Sequence, residues 1–146
     1  MYWFFDGKLD KNIINLAPGE FYATGEDVII NTVLGSCVAV VLFDPQRRVG
    51  GLNHFMLAEA AANKKVDEYL KVERYGLYAM EALINEFLKL GSTRRNLKAK
   101  IFGGGKVLAS QMRMNIGEDN IKFAEEYLAA EKIPIVSRDT NKKDEE

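Results

Sequence analysis

The apolar run Val38-Ala39-Val40-Val41-Leu42-Phe43 restricts the fold more than any other segment of this chain. It is too short for a typical helix and rich in valine, so it reads as a buried strand. Gly35-Ser36 breaks the chain before it, and Asp44-Pro45-Gln46-Arg47-Arg48 turns the chain after it. Pro45 presets φ for the second position of a turn, and the Asp44 side chain can bond back to the backbone. Val49 to Leu57 then reads as the returning strand of a hairpin.

Other segments build around that hairpin. Pro18-Gly19 marks a turn before a short strand at Glu20-Phe21-Tyr22-Ala23, and Val28-Ile29-Ile30 is strand-like. Ala58 to Glu68, alanine-rich and charged, reads as a surface connection or the start of a helix. Arg74 to Leu90 is the strongest helix pattern, with Leu77, Met80, Ile84, Phe87 and Leu88 at helical spacing and Gly91 at the stop position. Leu97 to Phe102 reads as a strand running into Gly103-Gly104-Gly105. A second amphipathic helix spans about Glu118 to Glu131, with Ile121, Ala124, Tyr127 and Leu128 on one face. Ile133-Pro134-Ile135-Val136-Ser137 reads as an edge strand because Pro134 cannot donate to a ladder. The expected fold is a layered α/β sandwich with a mixed, largely antiparallel sheet and two main amphipathic helices. One domain is expected over 1–140, followed by a polar, disordered tail over 141–146.

Composition narrows the function classes. Of 146 residues, 47% are apolar and 28% charged, the balance of an ordinary globular domain. A net charge of −1 supplies no chain-wide attraction for nucleic acid or an anionic membrane. The single cysteine excludes an intrachain disulfide and fits a reducing cytoplasm. Met1-Tyr2-Trp3-Phe4-Phe5 is cut short by Asp6 and Lys8 and does not read as a signal peptide. No segment approaches the roughly 20 apolar residues that span a bilayer. A cytoplasmic protein without direct membrane insertion is expected, and no metal or other cofactor is implied.

Cys37 and His54, the only residues of their types, flank the hairpin. Because side chains alternate along a strand, the loop length decides whether they share a face. A four-residue loop pairs Asp44 with Val49 and sets His54 opposite Ala39, with Cys37 a diagonal neighbour about 7–8 Å away. A two-residue loop sets His54 directly opposite Cys37, and a three-residue loop puts them on opposite faces. If they meet, the imidazole can stabilise a thiolate that attacks an amide or ester carbonyl. Thr32, or a backbone carbonyl beside it, could fix the imidazole tautomer. Backbone N–H groups around Gly35, Ser36 and Cys37 could hold the oxyanion. The alternative is a small buried hydrophobe at Cys37 and a structural histidine at His54.

The string Thr32-Val33-Leu34-Gly35-Ser36-Cys37-Val38-Ala39-Val40, with Asp44-Pro45 and His54-Phe55-Met56-Leu57, resembles the chemoreceptor glutamine deamidase family, CheD. The resemblance continues through Tyr75, Lys100-Ile101-Phe102-Gly103-Gly104-Gly105, Met114-Asn115-Ile116-Gly117 with Asn120, and Asp139-Thr140. It implies a cytoplasmic α/β sandwich that converts glutamines of methyl-accepting chemotaxis receptors to glutamate with release of ammonia. By family role Cys37 is the nucleophile, His54 the general base and acid, and Thr32 the third member. Gly35 and Ser36 then border the oxyanion site, and Phe102, Gly103 and Gly104 the substrate rim. The implied partners are the receptor's cytoplasmic helices and a CheC-type phosphatase. An alternative within the family is a weakly catalytic or non-catalytic regulator of that phosphatase. Two departures stand out: Ala58 replaces the family's usual proline, and a charged segment follows Thr140 in place of a glycine pair and a further strand or hairpin. Gly103-Gly104-Gly105-Lys106 lacks the glycine spacing and the following Ser or Thr of a phosphate loop, so a tight turn is expected there.

Overall fold

The computed structural model describes residues 1–57, 68–105 and 116–140. The expectations for the Ala58 connection and the 141–146 tail lie outside these residues. Among the described residues, eight strands and two helices run in the order β1 (Tyr2–Asp6), β2 (Lys11–Asn15), β3 (Phe21–Thr24), β4 (Ile29–Asn31), β5 (Val38–Asp44), β6 (Val49–Asn53), α1 (Glu68–Lys89), β7 (Lys98–Gly103), α2 (Ile116–Ala130) and β8 (Ile135–Thr140). A 3-10 turn at Arg94–Asn96 leads into β7.

The strands form two sheets. The larger has the order β3-β6-β5-β7-β8, with the apolar run in its central strand, as a doubly buried segment requires. Its pairings are antiparallel except β7 with β8. The smaller sheet, β1-β2-β4, has one parallel pair, β2 with β4. The layered α/β class is therefore as expected, with two sheets in place of one. The second sheet went unread because β1 is a solvent-exposed edge whose run Tyr2-Trp3-Phe4-Phe5 shows no alternation.

Both helices cover one face of the large sheet. Val38, Val40 and Leu42 enter one core with Met80, Leu83, Ile84 and Phe87 of α1 and Ile121, Ala124 and Leu128 of α2. The buried face of α2 is the expected one. On α1, Leu77 and Leu88 are exposed at 46% and 39%, and the inward stripe is Met80-Leu83-Ile84-Phe87. Leu77 shares the helical period but lies on the flank of the buried stripe, a distinction that spacing alone does not make. Gly91 ends α1 as expected, with the Ser92 amide bonded to the Phe87 carbonyl at 3.0 Å. The small sheet meets the large one from the side opposite the helices. There Trp3 packs edge-on against Tyr22 at 5.5 Å, and Ile14 and Leu16 are buried outside the helix-side core.

Candidate active site

The hairpin turn fixes the geometry of the site. The Asp44 carboxylate accepts from the amides of Gln46 (3.0 Å) and Arg47 (3.1 Å), and its carbonyl accepts from Arg48 (2.8 Å). Asp44 pairs with Val49, so the loop has the four-residue form among the three considered. The same register continues to a bridge between Val38 and Phe55, whose amides and carbonyls bond reciprocally at 3.0 and 2.9 Å. His54 therefore stands opposite Ala39, and Cys37 is its diagonal neighbour on the same face. Val38 and Phe55 point to the helix-side core, so Cys37 and His54 share the face turned to the small sheet.

His54 is 3% exposed, and Cys37 is partly exposed. Thr32, just after β4, reaches His54 with its hydroxyl 2.7 Å from Nδ1. The same hydroxyl donates to the Leu16 carbonyl at 2.9 Å. Threonine has one hydroxyl proton, and Leu16 takes it, so the hydroxyl oxygen accepts at Nδ1. The neutral imidazole then carries its proton on Nδ1 and its lone pair on Nε2. Of the two tautomer-fixing partners considered from sequence, the geometry selects the Thr32 side chain.

The Gly35-Ser36-Cys37 bend is held by all three of its carbonyls. Gly105 donates to the Gly35 carbonyl at 2.7 Å, Gly104 to that of Cys37 at 2.8 Å, and the Asn120 amide to that of Ser36 at 3.0 Å. Gly103 and Gly104, both at positive φ, pack on the cysteine segment, and the tight turn expected through Lys106 runs outside the described residues. Gly103 has φ +100°, and a Cβ there would collide with the Cys37 carbonyl. At Gly117, in the first turn of α2, a Cβ would run into the backbone of Gly104 and Gly105. Phe102 pairs with Ala39, so His54, Ala39 and Phe102 form one row across three strands on the site face. Phe102 is half-buried, and Ala39 between the two is buried at 2% exposure. A cavity of about 20 Å³ lies where His54 passes α1, lined in part by Glu20, Asn53 and Tyr75, on the helix side of the sheet and not on the site face. That volume suits a water molecule and not a glutamine side chain.

One structural member of the site carried no role in the sequence reading. Asn120 is fully buried; its Oδ1 accepts from the Leu57 amide at 2.9 Å while its Nδ2 holds Ser36. It precedes Ala124 by four residues and Tyr127 by seven, so it sits on the apolar stripe of α2. A polar residue on such a stripe was the available signal. Among the described residues, no cluster of three His, Cys, Asp or Glu is placed to hold a metal. No described helix is long and apolar enough to cross a membrane.

Fold and site together define a layered α/β domain that carries a cysteine and a threonine-bonded histidine on one sheet face. The crystal structure of the Bacillus licheniformis hypothetical protein YfiH is similar with a TM-score of 0.53 over 83% of this chain and 49% of that one, at 13% identity. The likeness extends to the fold alone. The family model "CheD chemotactic sensory transduction" matches residues 56–145. Relatives named "Probable chemoreceptor glutamine deamidase CheD" include one from Cupriavidus pinatubonensis, 48% identical over 93% of this chain and 63% of its own length. Another, from Methylobacillus flagellatus, is 48% identical over 94% of this chain and 68% of its own. A third, from Herminiimonas arsenicoxydans, is 46% identical over the same shares. The chain belongs to the CheD family. It spans 63% of the length of the Cupriavidus pinatubonensis relative and 62% of that of a Cupriavidus metallidurans relative of the same name.

Proposed function

We propose that this protein is a protein-glutamine deamidase acting on the cytoplasmic helices of chemoreceptors through a Cys37 thioester. The observation that carries this reading is the pair of bonds made by the Thr32 hydroxyl, to Leu16 and to His54. They leave Nε2 as the basic atom of an imidazole on the face that also carries Cys37. Nε2 takes the thiol proton, and the thiolate attacks the side-chain carbonyl of a receptor glutamine. Backbone N–H groups of the Gly35-Ser36-Cys37 bend hold the oxyanion. The imidazolium returns its proton to the leaving nitrogen, and ammonia departs as the thioester forms. Water, deprotonated by Nε2, then attacks the thioester, giving glutamate and restoring the thiol. Every proton removed is returned, and no cofactor enters the balance.

Substrate approach follows from the shape of the site. Phe102 is half-buried in the row that His54 and Ala39 begin, and the substrate amide approaches along it. Gly103 and Gly104 form the rim there. A cytoplasmic location suits both a thiol nucleophile and substrate helices on the cytoplasmic side of the membrane. Conversion of a neutral amide to a carboxylate changes the repulsion between neighbouring receptor helices and creates a methylatable side chain. The family resemblance also supplies a second partner, a CheC-type phosphatase, which a pull-down with the purified phosphatase would test.

The direct test is incubation with receptor cytoplasmic domains and residue-level mapping of Gln-to-Glu conversion by mass spectrometry. Wild-type protein should convert selected glutamines, and Cys37→Ala and His54→Ala should not while retaining the wild-type circular dichroism spectrum. Absence of conversion by the wild type, alongside retained phosphatase binding, would favour a purely regulatory role.

A further inference from the structure

We infer that Asn120 is a positioning residue for the oxyanion site, setting the direction of the Cys37 N–H through the Ser36–Cys37 peptide. The inference rests on the reading of Cys37 as an acyl-accepting nucleophile. A trans peptide points its C=O and N–H in opposite directions, and the described chain has no cis peptide bond. Asn120 Nδ2 holds the Ser36 carbonyl toward α2 at 3.0 Å. The N–H of the same peptide, that of Cys37, is therefore turned away from the helix layer. His54 lies on that opposite side, because its neighbour Phe55 packs against Phe123 of α2 at 6.1 Å between ring centroids. The Gly105 amide holds the Gly35 carbonyl in the same way and directs the Ser36 N–H. Two consecutive donors are thus aimed by bonds made behind them, one from a glycine turn and one from a side chain.

The second bond of Asn120 makes the role specific to the site. Its Oδ1 accepts from the Leu57 amide at 2.9 Å, three residues beyond His54. A single fully buried amide therefore ties the nucleophile bend to the strand that carries the base. An aliphatic side chain of similar size would fill the space and lose both bonds. A carboxylate would keep the bond from Leu57 and set an acceptor against the Ser36 carbonyl. Asn120→Asp thereby separates the oxyanion contribution from the strand tie.

The test compares two reactions of Cys37 in the full chain. Acylation by p-nitrophenyl acetate develops an oxyanion, whereas alkylation by iodoacetamide displaces iodide and develops none. Wild-type protein should acylate at Cys37 with a measurable burst. Asn120→Asp should acylate about tenfold or more slowly, with an alkylation rate and alkylation pH profile within about twofold of wild type. Lowering the pH should recover acylation relative to alkylation as the new carboxyl regains a donor proton. If Asn120→Asp does not fold, Asn120→Ser carries the same comparison, since its hydroxyl cannot span both partners. Equal losses in both reactions, or no loss in either, would overturn the inference and leave Asn120 as packing. Failure of the wild type to acylate would instead overturn the underlying nucleophile reading, and the inference with it.

Discussion

Replacing Thr32 with valine removes the hydroxyl that joins Leu16 to His54 while keeping the branched shape. In the proposed mechanism the imidazole is cationic in the transition state, so the Nδ1–H bond to Thr32 is charge-assisted there and neutral at rest. A hydrogen bond to a charged group contributes roughly 1.5–3 kcal/mol and a neutral one about 0.5–1.5, and the difference of about 1–1.5 kcal/mol corresponds to about a 5- to 13-fold loss in kcat/KM. The loss should fall on kcat, because Thr32 touches the base and not the substrate. Valine also strands the Leu16 carbonyl and the His54 Nδ1–H, both on residues only 3% exposed. A drop in stability of about 1–3 kcal/mol should accompany the kinetic loss. Thr32→Ser keeps the hydroxyl and should remain within about threefold of wild type, a cost near 0.6 kcal/mol. The assay is ammonia release from a receptor cytoplasmic domain, with urea unfolding of each variant alongside. Wild-type kcat for folded Thr32→Val, or equal losses for the serine and valine variants, would refute the tautomer argument.

Two further outcomes follow from the same geometry. Gly103→Ala forces a residue with a side chain into φ +100° and drives its Cβ into the Cys37 carbonyl; it should lose roughly 1–3 kcal/mol by urea unfolding and slow acylation at Cys37. The Asp44 carboxyl is held below its ordinary range chiefly by the Ser92 hydroxyl, which together with the Arg47 and Gln46 amides outweighs burial. Because its folded pKa is depressed, the stability it contributes is present above the unfolded value near 3.9 and is lost as pH falls through the folded one. The stability gap between wild type and Asp44→Ala should be constant above about pH 5 and shrink below about pH 4.

Local chemistry made the hairpin legible, and long-range pairing hid the small sheet. Asp44-Pro45 and the valine run fixed the turn and the buried strand, so the shared face of Cys37 and His54 followed from parity once the loop length was known. The sequence left that length open among three values, and the Asp44 cap on Gln46 and Arg47 decides it. The small sheet depends on β2 pairing with β4 across an intervening strand of the other sheet, a parallel pairing with no local signature. β1 is an exposed aromatic edge, where apolar patterning carries no inside–outside signal. Asn120 went unassigned because its two partners, Ser36 and Leu57, are backbone groups far away in sequence. The sequence offers Thr32 as a partner for His54, but its bond to Leu16, which fixes the tautomer, needs β2 beside β4 and so depends on the small sheet.

The central claim is that an acyl group from a receptor glutamine passes through Cys37. Acid-quenched intact-mass analysis of protein mixed with a receptor glutamine peptide tests it most directly, with the adduct site mapped by fragmentation. A transient adduct of the peptide less ammonia should form on Cys37 and decay to a glutamate peptide, with adduct and product both absent in Cys37→Ala. Glutamate product formed at the wild-type rate by Cys37→Ala would contradict it.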